Sequence, residues 1–210
     1  MNPNVLIVGL GGIGSNLLEL VVPALNRCEL GTRITIMDDD VVDYSNLGHQ
    51  RFTSSDVGTS KVDVLSNRFS SLDYVTIQPV VKKLTCKSEL NGYELIVVAV
   101  DSMSPRQLIH SSEVDWLDLR CQGDGYIVID NLTSSQLVAR IPGNDVATSC
   151  QIEGAIEHQN IEFGYSMCAT IGAQWLLQKI RQSHGHKSNT PSFRMGSITN
   201  GELALKGVID

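Results

Sequence analysis

A chain of 210 residues with 42% apolar side chains can bury a real core, which excludes wholesale disorder and fits one α/β domain or one domain with a small appendage. Its formal net charge of −7 disfavours a general nucleic-acid or acidic-membrane surface, although a local basic pocket stays open. The five cysteines include no Cys-x-x-Cys pair, and an odd count without a secretory signal reads as reduced thiols of a cytoplasmic protein.

The first element is "NVLIVGL" (4–10), a near-continuous apolar run of the kind a strand buried on both faces shows. Its lack of a basic flank and its entry into a glycine turn separate it from a signal peptide. Gly9-x-Gly11-x-x-Gly14 follows, with Gly12 between. Residues 13–28 then have helical spacing, with Leu17, Leu18, Val21 and Leu25 on one stripe, and Pro23 is expected to kink or shorten that helix. "TRITIMDDD" (32–40) is a second strand, 60–72 a helix and 74–81 a third strand. "YELIVVAV" (93–100) is a fourth strand ending at Asp101. A helix starts at Ser104-Pro105.

Later segments read differently. Residues 125–131 and 136–143 are expected to form a hairpin through "LTSS", followed by a polar crossover loop over 143–162. Residues 163–182 form a long apolar helix. A linker over 183–192 and a hairpin turning at Asn200-Gly201 end the pattern. No stretch is long enough to span a bilayer.

The glycine turn lies between a strand and a helix, where backbone N–H groups and the helix dipole favour an anion. Asp38, at the end of the next strand, suits ribose hydroxyls. NAD is the default ligand for such a unit. The chain leaves little for a second substrate region, however, and it adds a donor-rich loop, Lys61 and Asp101. That set matches a triphosphate and its metal better.

These residues resemble a family. "GLGGIGS", "DDDVVDYSNLGHQRF", "GTSKVDVL" and "VVAVDSMSPR" follow in the order of the ThiF/MoeB/ubiquitin-activating (E1-like) adenylyltransferases, and "TIGAQWLLQKI" is similar to that family's late helix. The resemblance implies a Rossmann-like, largely parallel sheet with helices on both faces and antiparallel hairpin additions late in the chain. Residues 1–182 would form a nucleotide-binding adenylation domain, and 183–210 a linker and hairpin packed on it.

The implied reaction uses ATP to adenylate the C-terminal carboxylate of a ubiquitin-like or sulfur-carrier protein, or a peptide. The implied nucleotide set is Gly9, Gly11, Gly12, Gly14, Asp38, Asp40, Ser45, Asn46, His49, Gln50, Lys61, Asp101 and Ser102. Lys61 would meet the phosphates and Asp101 would hold Mg²⁺, with Asn46 and Arg51 completing the reacting set. A homodimer, or a heterodimer with another chain of the family, is also implied.

Each residue has a plainer reading. Ser45 and Asn46 are common turn formers, Lys61 alone is a surface lysine, Asp101 suits a helix cap, and Arg106 suits an ion pair. The chain also departs from the family pattern. His49 stands where the family has arginine, with Arg51 as a substitute two residues on, and Ser102 stands where it has asparagine. An arginine from an N-terminal helix has no counterpart in the sequence. Losing one charge-stabilising donor costs roughly 10²–10³ in rate. A non-catalytic subunit of a heteromeric complex is therefore the alternative reading, with an NAD(P)-dependent oxidoreductase a distant third. The family's zinc-binding cysteine pairs are missing, so no structural zinc is expected. Cys150 in the crossover loop is the best placed thiol for thioester chemistry, although an ordinary loop thiol is the plainer reading. Cys168 reads as core, and His184 and His186 as parts of a solvated linker.

Overall fold

The computed structural model describes residues 2–139, 141, 150–152 and 154–203. One eight-stranded sheet runs in the order β3-β2-β1-β4-β5-β6-β7-β8. Strands β1 (Asn4–Val8), β2 (Thr32–Asp38), β3 (Val75–Val81), β4 (Leu95–Val98) and β5 (Asp115–Gln122) are parallel. Strands β6 (Gly125–Asp130), β7 (Arg194–Ser197) and β8 (Gly201–Glu202) extend it antiparallel. The helices are α1 (Gly12–Arg27), α2 (Lys61–Arg68), α3 (Met103–His110), α4 (Ser135–Val138) and α5 (Gly164–Ser183).

Alternation within the strands explains the layering. Val5 and Ile7 of β1 join Val97 of β4 and the apolar faces of α1, α2 and α5 in one core. Leu6 and Val8 join Ile96, Val98, Ile109 of α3 and Trp116 in a second core on the opposite face. Each aliphatic side chain buried this way contributes roughly 1.5–3 kcal/mol. This is the doubly wound α/β arrangement that the resemblance implies. At Gly172 of α5 an added Cβ would lie 2.7 Å from Leu119 and 2.8 Å from Leu17, so glycine sets how closely α5 approaches β5 and α1.

Helix α1 runs past the exposed Pro23 to Arg27, so the expected shortening does not occur. The larger correction concerns residues 115–143. Strand β5 was not expected there, and the hairpin is β5–β6, turning at Gly123 (φ +59°). Residues 136–138, expected in a strand, lie in the short helix α4, whose cap Ser134 accepts from the Leu137 N–H at 3.3 Å. The charged Asp118 and Arg120 break the apolar pattern of β5, so its burial depends on partners that lie elsewhere in sequence. Residues 140 and 142–143 of the expected strand, 143–149 and 153 of the expected loop, and 204–207 of the last hairpin lie outside the described residues. A β7–β8 hairpin does form, with its turn over 198–200 and Gly201 already paired with Ser197, and it joins the sheet through β6. His184 is pinned by its Nε2, 3.0 Å from the Gly31 carbonyl, whereas His186 is exposed. Among the described residues no helix is long and apolar enough to cross a membrane.

Candidate nucleotide site

The strand order reverses between β1 and β4, and in such sheets the crevice at the carboxyl ends of the strands is where ligands bind. A cavity of about 350 Å³ lies there. Two glycines of the turn are required by geometry. Gly9 adopts φ +92°, and an added Cβ would meet the Ala99 carbonyl at 2.5 Å. At Gly14 it would lie 1.9 Å from the Gly9 carbonyl, so Gly14 serves helix–strand packing and does not line the cavity. Gly9, Gly11 and Gly12 do line it, and the N-cap residue of α1, Gly11, offers no side-chain bond to the first turn.

Asp38 ends β2 beneath the glycine turn. Its Oδ2 accepts from the Leu10 N–H at 2.6 Å and its Oδ1 from the Asp40 N–H at 2.8 Å. Burial raises its pKa, and the two backbone bonds and the Lys61 charge partly offset that rise. Lys61 opens α2 and is 4% exposed. Its ammonium pairs with the outward-facing Asp40 at 2.8 Å, at the cavity wall. Asp101 and Ser102 follow β4 and also line the cavity. Ser102, not Asp101, is the N-cap residue of α3, which leaves the exposed Asp101 carboxylate without that structural role.

The loop after β2 divides. Asn46, His49 and Gln50 line the cavity. Asn46 also accepts from the Asp43 N–H at 3.0 Å, which closes a single turn over Tyr44–Asn46. Ser45 is exposed outside the cavity, and its N–H donates to Asp43 at 2.9 Å, so its observed role is in the turn. His49 is buried edge-on to Tyr165, with ring centroids 6.1 Å apart. Burial, with a smaller contribution from the Lys61 charge, lowers its pKa and keeps the imidazole neutral at pH 7. Arg51 is exposed and does not line the cavity. Its backbone is held by the Ser15 hydroxyl and the Arg68 guanidinium.

Several cations at the cavity were not assigned from the sequence. Lys82 and Lys83 follow β3, paired with Glu89 and Asp39 respectively. The adjacent lysines just past a strand end were the available signal. Arg120 belongs to the unexpected β5 and lacked any such signal. Arg106 also reaches the cavity, but it is buried against Asp118, and its guanidinium donates to the carbonyls of Val100 and Leu119. Asp118 in turn holds Arg120 at 2.7 Å and His110 at 3.0 Å.

The molecule is thus a doubly wound α/β domain whose switch-point cavity gathers a glycine turn, acids and lysines from separate elements. Residues 2–204 match the ThiF family model, and the chain belongs to the ThiF family. It is 32% identical over 116 residues to a sulfur carrier protein adenylyltransferase of Thermus thermophilus, covering 53% of this chain and 41% of that protein. It is 34% identical over 122 residues to the NEDD8-activating enzyme E1 catalytic subunit of Caenorhabditis elegans, covering 54% and 26% respectively. The chain therefore matches less than half the length of these relatives. Among solved structures, that of E. coli MccB with ATP has a TM-score of 0.66 at 15% identity, covering 96% of this chain and 63% of MccB. The structure of PaaA has a TM-score of 0.67 at 16% identity, covering 96% and 62%. These likenesses are of fold.

Proposed function

We propose that the chain binds Mg-ATP in this cavity and adenylates the C-terminal carboxylate of a ubiquitin-like protein, a sulfur-carrier protein or a peptide, releasing pyrophosphate. The observation that carries this reading is convergence. Gly9, Gly11, Asp38, Lys61 and Asp101 come from four separate parts of the chain and share one cavity. The N-terminus of α1 favours phosphate oxygens. Asp38, already oriented by two backbone N–H groups, takes ribose hydroxyls. Lys61 neutralises phosphate charge from a fixed position, and the more exposed Lys82 and Lys83 add positive charge at the same cavity.

The exposed Asp101 carboxylate is an oxygen donor of the kind Mg²⁺ favours, and the acidic trio Asp38–Asp40 lies nearby in the same cavity. Bound there, the ion would neutralise phosphate charge. The chain's own task is positioning, since an aligned carboxylate and α-phosphorus need little covalent assistance. The named activities of the relatives support the reaction class.

A second reading rests on His49 and Arg51. The first is buried and neutral, and the second lies outside the cavity, so neither places a guanidinium where the family motif has one. Such a chain binds nucleotide but needs a partner subunit for turnover. Calorimetric titration with Mg-ATP tests binding, and ATP–pyrophosphate exchange with carrier proteins ending in Gly-Gly tests chemistry. Binding with exchange supports the first reading, and binding without exchange supports the second. Exchange undiminished in Asp101→Ala would remove the metal assignment.

A further inference from the structure

Cys121 and Cys150 reach the cavity wall from distant parts of the chain. Cys121 stands near the end of β5, and Cys150 lies on the segment leading to α5. The Gly123 N–H donates to the Cys150 carbonyl at 3.0 Å, which ties that segment to the β5–β6 turn two residues beyond Cys121. Both residues are half-buried, and both line the cavity beside Gly12, Ile13 and Arg106. Cys28 and Cys86 are exposed and lie outside it, and Cys168 is buried in the core.

The backbone tie at Gly123 brings the two thiols near enough to act on each other's ionisation. Their interaction is the main cause of a raised pKa at Cys121 and a lowered one at Cys150. The Ile13 N–H and the Arg106 guanidinium lower Cys150 further, against burial and the Asp101 charge. Cys150 is thus the nucleophile of the pair, and Cys121 keeps its proton. Adenylation uses neither thiol. A thiol with a lowered pKa that is reachable from a cavity, with a second thiol beside it, is the arrangement that reacts with peroxide and then resolves to a disulfide.

The geometry points to Cys121 and Cys150 as a redox-active dithiol in the cavity wall, with a small hydroperoxide as oxidant and an intramolecular disulfide as product. The Cys150 thiolate attacks one peroxide oxygen, and the O–O bond breaks. That oxygen stays on Cys150 as a sulfenic acid, and the other leaves as hydroxide. Cys121 then gives up its proton and attacks the Cys150 sulfur, displacing the oxygen as water. The proton first lost from Cys150 converts the hydroxide to water. Two thiols lose two electrons and two protons, and hydrogen peroxide becomes two waters. A phosphate bound at the N-terminus of α1 would compete for the Ile13 N–H and add negative charge beside Cys150. Bound nucleotide therefore slows the oxidation, an effect that rests on the nucleotide reading, whereas the dithiol itself does not.

The test is to titrate the reduced full chain with hydrogen peroxide and map cysteine states by peptide mass spectrometry. The expected result is loss of two hydrogens across a linked 121–150 pair, at a rate roughly tenfold above oxidation of Cys28 or Cys86. Cys121→Ser should stop at a Cys150 sulfenic acid that a cyclic 1,3-dione traps. Oxidation of Cys28 and Cys86 with Cys121 and Cys150 still reduced overturns the proposal. A repeat with saturating Mg-ATP, alongside calorimetry on the reduced protein, separates the two readings. Slower oxidation with measured binding supports both. Unslowed oxidation despite measured binding overturns the shielding. Disulfide formation in a protein that binds no nucleotide leaves the dithiol standing and removes the nucleotide assignment.

Discussion

Lys61 and Asp40 hold each other twice: the ammonium lies 2.8 Å from the carboxylate, and the Lys61 N–H donates to the Asp40 carbonyl at 3.1 Å. The backbone bond fixes where α2 begins, and the ion pair holds a buried side chain at the cavity wall. Asp40 remains solvated and the Lys61 charge is only a minor offset to the burial of Asp38, so the stability cost of Lys61→Ala should be about 1 kcal/mol or less. Mg-ATP affinity should nevertheless fall at least roughly tenfold, about 1.4 kcal/mol, for one lost phosphate contact. Thermal unfolding and calorimetry on one preparation check both halves. Unchanged affinity would remove Lys61 from the nucleotide site.

The glycine turn separates folding from binding. Gly14→Ala places a methyl carbon 1.9 Å from the Gly9 carbonyl, backbone against backbone, so α1 must move off β1. A loss of about 2–4 kcal/mol is expected in urea unfolding. A Cβ at Gly11 meets nothing within 4 Å, yet Gly11 lines the cavity. Gly11→Ala should therefore unfold at nearly the native urea midpoint while binding Mg-ATP more weakly. Equal destabilisation by the two substitutions would contradict the assignment.

The same distinction marks what the sequence could reveal. Strands β1 and β4 are buried on both faces by their own side chains, so continuous apolar runs announce them, and the motifs at their ends are contiguous. Strand β5 is different. Its buried Asp118 is tolerated because Arg106 and His110 from α3 and Arg120 from its own strand surround it. A pattern of apolar spacing carries no record of such partners, so the strand and the cavity residue Arg120 stayed hidden together. Ser45 and Arg51 differ in the opposite sense. They belong to the recognisable motif, but Ser45 is engaged in the turn over Tyr44–Asn46, and neither it nor Arg51 lines the cavity.

Asp118 is fully buried and shared by two guanidiniums and an imidazole. Asp118→Asn removes the compensating charge and leaves Arg106 buried without it. Breaking such a pair from one side costs about 3–5 kcal/mol. The urea midpoint should drop by a corresponding amount with an unchanged slope. A loss below about 1 kcal/mol would mean that water already reaches the cluster.

His110 gives the cluster a pH signature. Its ring stacks on Trp116 with centroids 4.3 Å apart, and its Nε2 meets Asp118 at 3.0 Å. Burial is the main cause that pushes its pKa down to about 4, and the Arg120 and Arg106 charges add to it. With Asp118 already neutralised by two guanidiniums, a third positive charge has no favourable place. A histidine with a depressed folded pKa binds fewer protons folded than unfolded between that value and about 6.5. Its stabilising contribution is complete above about pH 6.5 and is lost as pH falls toward 4. The span corresponds to roughly 3 kcal/mol from this residue. His110→Gln should flatten that part of the stability–pH curve, and proton NMR of the native protein should show the His110 ring, identified by its loss in that variant, still neutral at pH 5. A His110 that titrates near 6.5, with the same pH slope in native and variant protein, would show that the cluster accepts the extra charge.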